Sequence, residues 1–298
     1  MKKFLSSVFV ALTLTGSSYA LTDLQACINQ FNAGNYQEAV QYCQKAVIEY
    51  PNNPVAYFWL GKAYARTGQI DKSIESFKKA SEYDSNDHDL IFIYNWLGGE
   101  YGAKGDYTNA LFYESKSLKL AEQFGDVDGE EADLNNIANI FHHEGNYSKA
   151  LEYYKKALEL ENGKSKTGAI YNNIASVYSD MHNYKKAIEY FKKAINVAEE
   201  HGHYLGSGVN MLNLGMTYLQ AKDFKNAKFY LEKGLERVKK VGNKYWEGIG
   251  YWDFGSYYRD TGNIAQAKEY LTKAYNIFNA IGDSGDALKI IYLLSSIK

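Results

Sequence analysis

Residues Gly145–Leu160, GNYSKALEYYKKALEL, decide the fold. A glycine followed by an asparagine stops one helix and starts the next. Glycine takes left-handed dihedrals without a Cβ penalty, and the short polar side chain of Asn146 can cap the first free amides of a second helix. Tyr147, Ala150 and Tyr154 then form an apolar stripe at helical spacing. The phrase reads as the turn and second helix of a helical hairpin, with Ala150 as its small rung.

The rung recurs along the chain as Ala39, Ser73, Ala110, Ala150, Ala187, Ala227 and Ala267, at spacings of 34, 37, 40, 37, 40 and 40. A period in this range is the signature of a solenoid built from one supersecondary unit. Gly34, Gly68, Gly105, Gly145 and Gly262 stand five residues before the rung, with His182 and Lys222 in the glycine's place in two repeats. Asn35, Asp106, Asn146, Asn183, Asp223 and Asn263 follow as expected helix caps, and Gln69 is the weak exception. Tyr36, Tyr107, Tyr184 and Phe224 repeat the role of Tyr147, while Phe77, Phe191, Leu231 and Leu271 repeat that of Tyr154. Upstream of each turn lies a matching first helix, as in LNNIANIF from Leu134, IYNNIASVY from Ile170 and MLNLGMTYL from Met211. Twelve residues before the rung sit Gly61, Gly98, Ala138, Ala175, Gly215 and Gly255, small enough for two helices to approach closely. Three further on come Tyr64, Tyr101, Phe141, Tyr178, Tyr218 and Tyr258.

In this register the chain resembles the tetratricopeptide repeat family: a bulky residue, Leu-Gly, Tyr, a turn, and a second helix punctuated by small residues. The resemblance runs over about residues 20 to 283 as seven repeats, and Pro51 matches the family's closing proline while Pro54 opens the next repeat. It implies an all-α, right-handed α-solenoid, with repeats at about 21–53, 54–87, 91–127, 131–164, 168–203, 208–243 and 248–283 and a cap at 284–298. The 37- and 40-residue repeats look like the variant with extended helices found in scaffold and peptide-sensor members. Composition agrees. With 2 prolines, 15% aromatic residues and no long strand-like alternation, a layered helical array is expected over residues 21–298 rather than a β or α/β domain.

Residues 1–20, MKKFLSSVFVALTLTGSSYA, stand apart. Lys2 and Lys3, an apolar run from Phe4 to Leu14, and Ser18 and Ala20 before a cut read as a secretory signal cleaved near Ala20. The run is about half the roughly 20 residues that a bilayer span needs, so no membrane span is expected in the mature form, and retention as an anchor is the alternative. Cleavage places the array in the periplasm or outside the cell. There Cys27 and Cys43, each eight residues from Asn35 on opposite helices of repeat one, are candidates for a disulfide. Two buried thiols filling a tight helix crossing are the other reading.

A solenoid names no activity by itself, so function is read from surfaces. In the family, first helices line a concave face that receives an extended peptide or a partner helix. The positions this implies are Phe58, Trp59, Lys62 and Arg66, then Asn95, Trp96 and Gly99. The series continues with Asn135, Asn136, Asn139, His142 and His143, with Asn172, Asn173 and Ser176, with Asn213 and Met216, and with Trp252, Asp253, Ser256 and Arg259. An asparagine amide donates and accepts, so a ladder of them suits a peptide backbone whatever its side chains. Trp59, Trp96 and Trp252 would serve as anchors. The plainer reading is that the asparagines solvate an inner face or bond one another between stacked helices. The paired lysine and asparagine of the family's carboxylate clamp are missing, although Lys62 and Arg66 suit an acid.

Other classes find little support. Loss of Lys2 and Lys3 would leave 31 basic residues against 35 acidic ones, without the basic footprint of a nucleic-acid binder. Lysine pairs starting at Lys78, Lys155, Lys185, Lys192 and Lys239 fall on second helices as solvated faces. His142, His143 and His182 lie at neighbouring turns, where histidines are usually just solvated, and no metal, cofactor or catalytic residue is assigned. The expectation is a non-enzymatic bacterial envelope scaffold that holds a protein or peptide in its groove. The alternative is an intracellular peptide-sensing regulator of the same architecture. Oligomeric state stays open, with the apolar Ile290–Leu294 stretch as a surface for pairing.

Overall fold

The computed structural model describes residues 22–161 and 167–297, and each phrase read above is a helical hairpin in it. The expected signal, residues 1–20, and residues 162–166 lie outside the described residues. Among the described residues there are fifteen helices and no strand. They are α1 Thr22–Asn32, α2 Tyr36–Glu49, α3 Pro54–Arg66, α4 Ile70–Tyr83, α5 Asp87–Ala103, α6 Tyr107–Phe124, α7 Val127–His143 and α8 Tyr147–Glu161. Then come α9 Thr167–Asp180, α10 Tyr184–Glu200, α11 Tyr204–Gln220, α12 Phe224–Val241, α13 Lys244–Asp260, α14 Ile264–Ala280 and α15 Ser284–Ser296. The α-solenoid reading holds. The helices α5, α7, α11 and α13 begin four residues before the starts drawn from the sequence, because Asn86, Asp126, His203 and Asn243 occupy the N-cap positions one turn earlier.

The turns behave as the glycines suggest. Gly34, Gly68, Gly105, Gly145 and Gly262 take φ between 73° and 83°, and the two departures take the same conformation, His182 at 56° and Lys222 at 60°. Those two therefore carry a Cβ cost that glycine avoids. Five second-helix caps bond as expected: Asp106, Asn146, Asn183, Asp223 and Asn263 accept from the amides of Asn109, Lys149, Lys186, Asn226 and Gln266. Asn35 does not cap. Its amide donates instead to Gln30 Oε1 at 2.7 Å, and Gln69 also makes no cap bond.

The hairpins with a glycine at the small position of the first helix close on the residue 16 further on. A Cβ on Gly61 would lie 2.9 Å from the Phe77 ring, one on Gly215 2.8 Å from Leu231, and one on Gly255 2.6 Å from Leu271. Phe77, Leu231 and Leu271 are completely buried, each contributing on the order of 2 to 3 kcal/mol of apolar burial. In the first hairpin the same two positions are Cys27 and Cys43, which are joined in a disulfide with Cα atoms 5.1 Å apart. The bond stands where other repeats place a glycine against a large side chain.

Packing divides the chain into two compact units, Met1–Leu160 and Glu161–Lys298. Within each, a second helix packs on its own first helix and on the next one, and first helices also touch across repeats. In the first unit these first-helix contacts join α1 to α3 and α5 to α7; in the second they join α9 to α11 and α11 to α13. The first helices of a unit thus share a surface.

Candidate binding surfaces

In the first unit that surface begins as an aromatic patch. Trp59 on α3 meets Phe31 of α1 edge-on at 5.3 Å between ring centroids, and Trp96 on α5 stacks on Phe77 at 5.6 Å. Trp59 is buried and Trp96 half-buried, so Trp59 contributes to packing. Lys62 lies among these rings, its Nζ 3.9 Å from the Trp59 centroid, 4.8 Å from Phe31, 5.6 Å from Phe58 and 5.7 Å from Trp96. Desolvation, and then the neighbouring Arg66 charge, lowers its pKa to about 8. Arg66 is exposed, with its guanidinium 6.0 Å from the Tyr36 ring, and it borders a cavity of about 360 Å³ with Asn35, Tyr36 and Glu38.

The patch gives way to amides, and here the structure adds partners that the sequence did not reveal. Asn95 on α5 donates to Asp133 Oδ1 at 2.8 Å, and Asn136 on α7 donates to Glu114 Oε1 at 3.2 Å. Glu114 and Asp133 are both fully buried, without a cation to pair with among the described residues. Burial, followed by the charge of Asp133, pushes the Glu114 carboxyl well above the ordinary range. Burial likewise raises Asp133 to about 6, against the lowering effect of its hydrogen bonds. Asn139 accepts from the hydroxyl of the completely buried Tyr154 at 2.5 Å. Three of the asparagines expected to face a ligand thus have one end of the amide tied to a buried side chain. Asn135 and Asn136 are half-buried neighbours on α7.

Glu114 is the residue that sequence reasoning passed over. It stands four after Ala110, where the other repeats carry Cys43, Phe77, Tyr154, Phe191, Leu231 and Leu271. A charged residue in that one slot was the available signal. Gly98 makes room for it, since a Cβ there would come 2.6 Å from the Glu114 Cγ and Cδ.

The second unit repeats the arrangement with fewer aromatics. Asn213 on α11 donates to Asn172 Oδ1 on α9 at 3.0 Å, and Asn172 lies 3.5 Å from Asn173 Oδ1. These three half-buried amides form a bonded row across two successive first helices. Ser179 and Gln220 extend the link at 3.0 Å. Asp253 on α13 occupies the position equivalent to Asn213 on α11. Desolvation pushes its carboxyl up to about 8. As a neutral acid it donates and accepts, as an amide does. Trp252 is half-buried and meets Phe278 edge-on at 6.5 Å.

The turn histidines do not assemble a metal centre. His142 and His143 rings lie 6.0 Å apart, His182 Nδ1 is 3.0 Å from the Tyr184 hydroxyl, and His201 Nδ1 is 3.0 Å from the Val197 carbonyl. Among the described residues no group of three or more His, Cys, Asp or Glu side chains is placed to hold a metal ion. No described helix is long and apolar enough to cross a membrane.

Comparison with known proteins fits this geometry. Family models described as tetratricopeptide repeat match residues 30–91, 89–162, 130–200, 166–240 and 209–280. Superkiller protein 3 of Schizosaccharomyces pombe is 28% identical over 139 residues, covering 44% of this chain and 9% of that protein. Photosystem I assembly protein Ycf3 of Rippkaea orientalis is 32% identical over 118 residues, covering 35% of this chain and 65% of that protein. The chain spans less than two thirds of the length of either relative. Among solved structures, a Rap protein complexed with competence and sporulation factor aligns at TM-score 0.65 and 15% identity, over 99% of this chain and 91% of that one. A signal transduction ATPase with a tetratricopeptide repeat sensor from Pyrococcus horikoshii aligns at TM-score 0.66 and 22% identity, over 86% of this chain and 40% of that one. At these identities the structural likeness concerns the fold alone.

Proposed function

The chain belongs to the tetratricopeptide repeat family, and from that premise we propose that it is a non-enzymatic scaffold of the bacterial cell envelope whose first-helix faces hold a protein or peptide partner. Proteins of this family act as protein-interaction scaffolds. The observation that carries the reading here is the amide row Asn213–Asn172–Asn173 on successive first helices of the second unit. An amide bonded at one end keeps its other end in a fixed orientation, so it is preorganised for a peptide group. Each such bond adds only about 0.5 to 1.5 kcal/mol net, so several rungs and an aromatic anchor are needed. Trp252 supplies the anchor in the second unit. Trp59, Lys62, Arg66 and Trp96 supply aromatic and cationic contacts in the first, beside Asn95, Asn135, Asn136 and Asn139.

The envelope location rests on the leader-like residues 1–20 and is supported by the Cys27–Cys43 disulfide, a bond that persists in oxidising compartments. A mature N-terminus at Leu21 is the expected result of N-terminal sequencing, and an unprocessed Met1 would point to the intracellular regulator instead.

The binding proposal is tested by affinity capture from envelope extract. Wild type is run beside an Asn172→Ala, Asn173→Ala, Asn213→Ala variant and an Asn135→Ala, Trp96→Ala variant, with helicity and melting checked for each. A partner held by wild type and lost from either folded variant supports the reading and names the unit responsible. Equal capture by all three proteins would contradict it.

A further inference from the structure

Six residues after its rung every repeat carries a lysine: Lys45, Lys79, Lys116, Lys156, Lys193, Lys233 and Lys273. In every repeat but the sixth its ammonium lies over a tyrosine ring of the same hairpin, between 4.6 and 5.5 Å from the centroid. The position sixteen before the rung gives Tyr57, Tyr94 and Tyr251 to this contact in repeats two, three and seven. In repeat six that position is Met211, and Lys233 lies over no ring among the described residues. Lys233 instead reaches Glu236 at 4.0 Å, with both side chains more than half exposed, so the pair contributes little.

Met211 and Lys233 border a cavity of about 580 Å³ between α11 and α12, within the size range of sites that hold small ligands. Met211 and Val241 give it apolar surface and Tyr204 an aromatic face, while Lys233, Arg237 and Lys240 bring positive charge against the single acid Glu236. Arg237 donates to Glu199 at 3.2 Å through one nitrogen, and a guanidinium has further donors to offer. Lys240 makes no ion pair among the described residues. The chain carries a formal net charge of −2, so this is a local positive pocket on an acidic protein, and such a pocket concentrates anions.

We propose that the cavity binds a small aromatic carboxylate. Its ring takes the place that a tyrosine ring holds in the other repeats, against the Met211 thioether and under the Lys233 ammonium, both of which favour a ring. Its carboxylate meets Lys240 and the remaining donors of Arg237 in charge-assisted hydrogen bonds. A ring without the acid leaves the cations unanswered, and an acid without the ring leaves the apolar surface wet, so the site selects for both parts together. Met211 and Asn213 are two residues apart on α11, about 200° around the helix. The cavity therefore faces away from the amide row, and the proposal does not need the partner reading to hold.

The test is an NMR titration of the full chain, labelled at its methionine methyl groups, with 4-hydroxyphenylacetate, which is the tyrosine phenol on an acetate arm. The Met211 methyl is expected to shift saturably while that of Met181 stays in place. Cresol, which lacks the carboxylate, and acetate, which lacks the ring, are each expected to bind about tenfold or more weakly. A Lys233→Gln, Lys240→Gln variant should lose about tenfold in affinity. Met211→Tyr restores the side chain that other repeats carry and should fold as they do. Followed by saturation transfer to the ligand, it should lose binding. A Met211 methyl that stays unmoved at millimolar 4-hydroxyphenylacetate would overturn the proposal. So would cresol binding as tightly, or full binding to the folded Met211→Tyr variant.

Discussion

His182 and Lys222 show how much one dihedral angle can reveal. Both hold φ near 60° at the turn where five other repeats place glycine, and a side chain in that region costs about 1 to 2 kcal/mol. His182→Gly and Lys222→Gly are therefore each expected to stabilise the second unit by about 1 kcal/mol in urea denaturation, the gain reduced by glycine's greater freedom when unfolded. A loss of stability in both would show that the imidazole and ammonium make contacts worth more than the strain. Gly98 and Gly99 make a sharper pair. A Cβ at Gly98 meets Glu114, while one at Gly99 meets nothing within 4 Å. Gly99→Ala should stabilise by about 0.5 to 1 kcal/mol through helix propensity, and Gly98→Ala should destabilise. Thermal melts of the two variants check the opposite signs.

At the scale of the element, two hairpins depart from the common pattern, each at the contact that closes it. In the first, reduction of Cys27–Cys43 opens a loop defined by a sequence separation of 16, for which loop entropy gives about 3 kcal/mol. Denaturant titration with and without reductant should lose about that much from the first unit and leave the second unchanged. In the third hairpin the closing residue Glu114 on α6 meets Asp133 on α7, the first helix of the next hairpin. Both carboxyls are raised on folding. Such a group contributes stability that is fully present below its unfolded value near 4 and lost as the pH rises through its folded value, about 6 for Asp133. Between about pH 5 and pH 7 the wild type should lose about 1 kcal/mol relative to Asp133→Asn, which cannot titrate. Parallel pH profiles of urea midpoints for the two proteins would contradict this.

Across the whole molecule, the fold was legible because the same phrase recurs around seven small rungs, so turn residue, rung and apolar stripe reinforce one another in register. The early starts of α5, α7, α11 and α13 were less legible, because a cap one turn upstream competes with the apolar pattern that marks the helix interior. The candidate surfaces were legible as residue types and not as bonding. Nothing in a run of asparagines says that Asn95 and Asn136 donate to buried carboxylates while Asn172 and Asn213 bond each other. That depends on which side chains a neighbouring repeat presents, and in this chain only the out-of-pattern Glu114 signalled it. The central claim is that the first-helix faces, not the second-helix faces, meet the partner. The most direct measurement is photo-crosslinking in envelope extract with a benzophenone side chain placed either at Asn213 on α11 or at the exposed Phe229 on α12. The account predicts a discrete crosslinked partner from position 213 and none from position 229, whereas crosslinks confined to position 229 would contradict it.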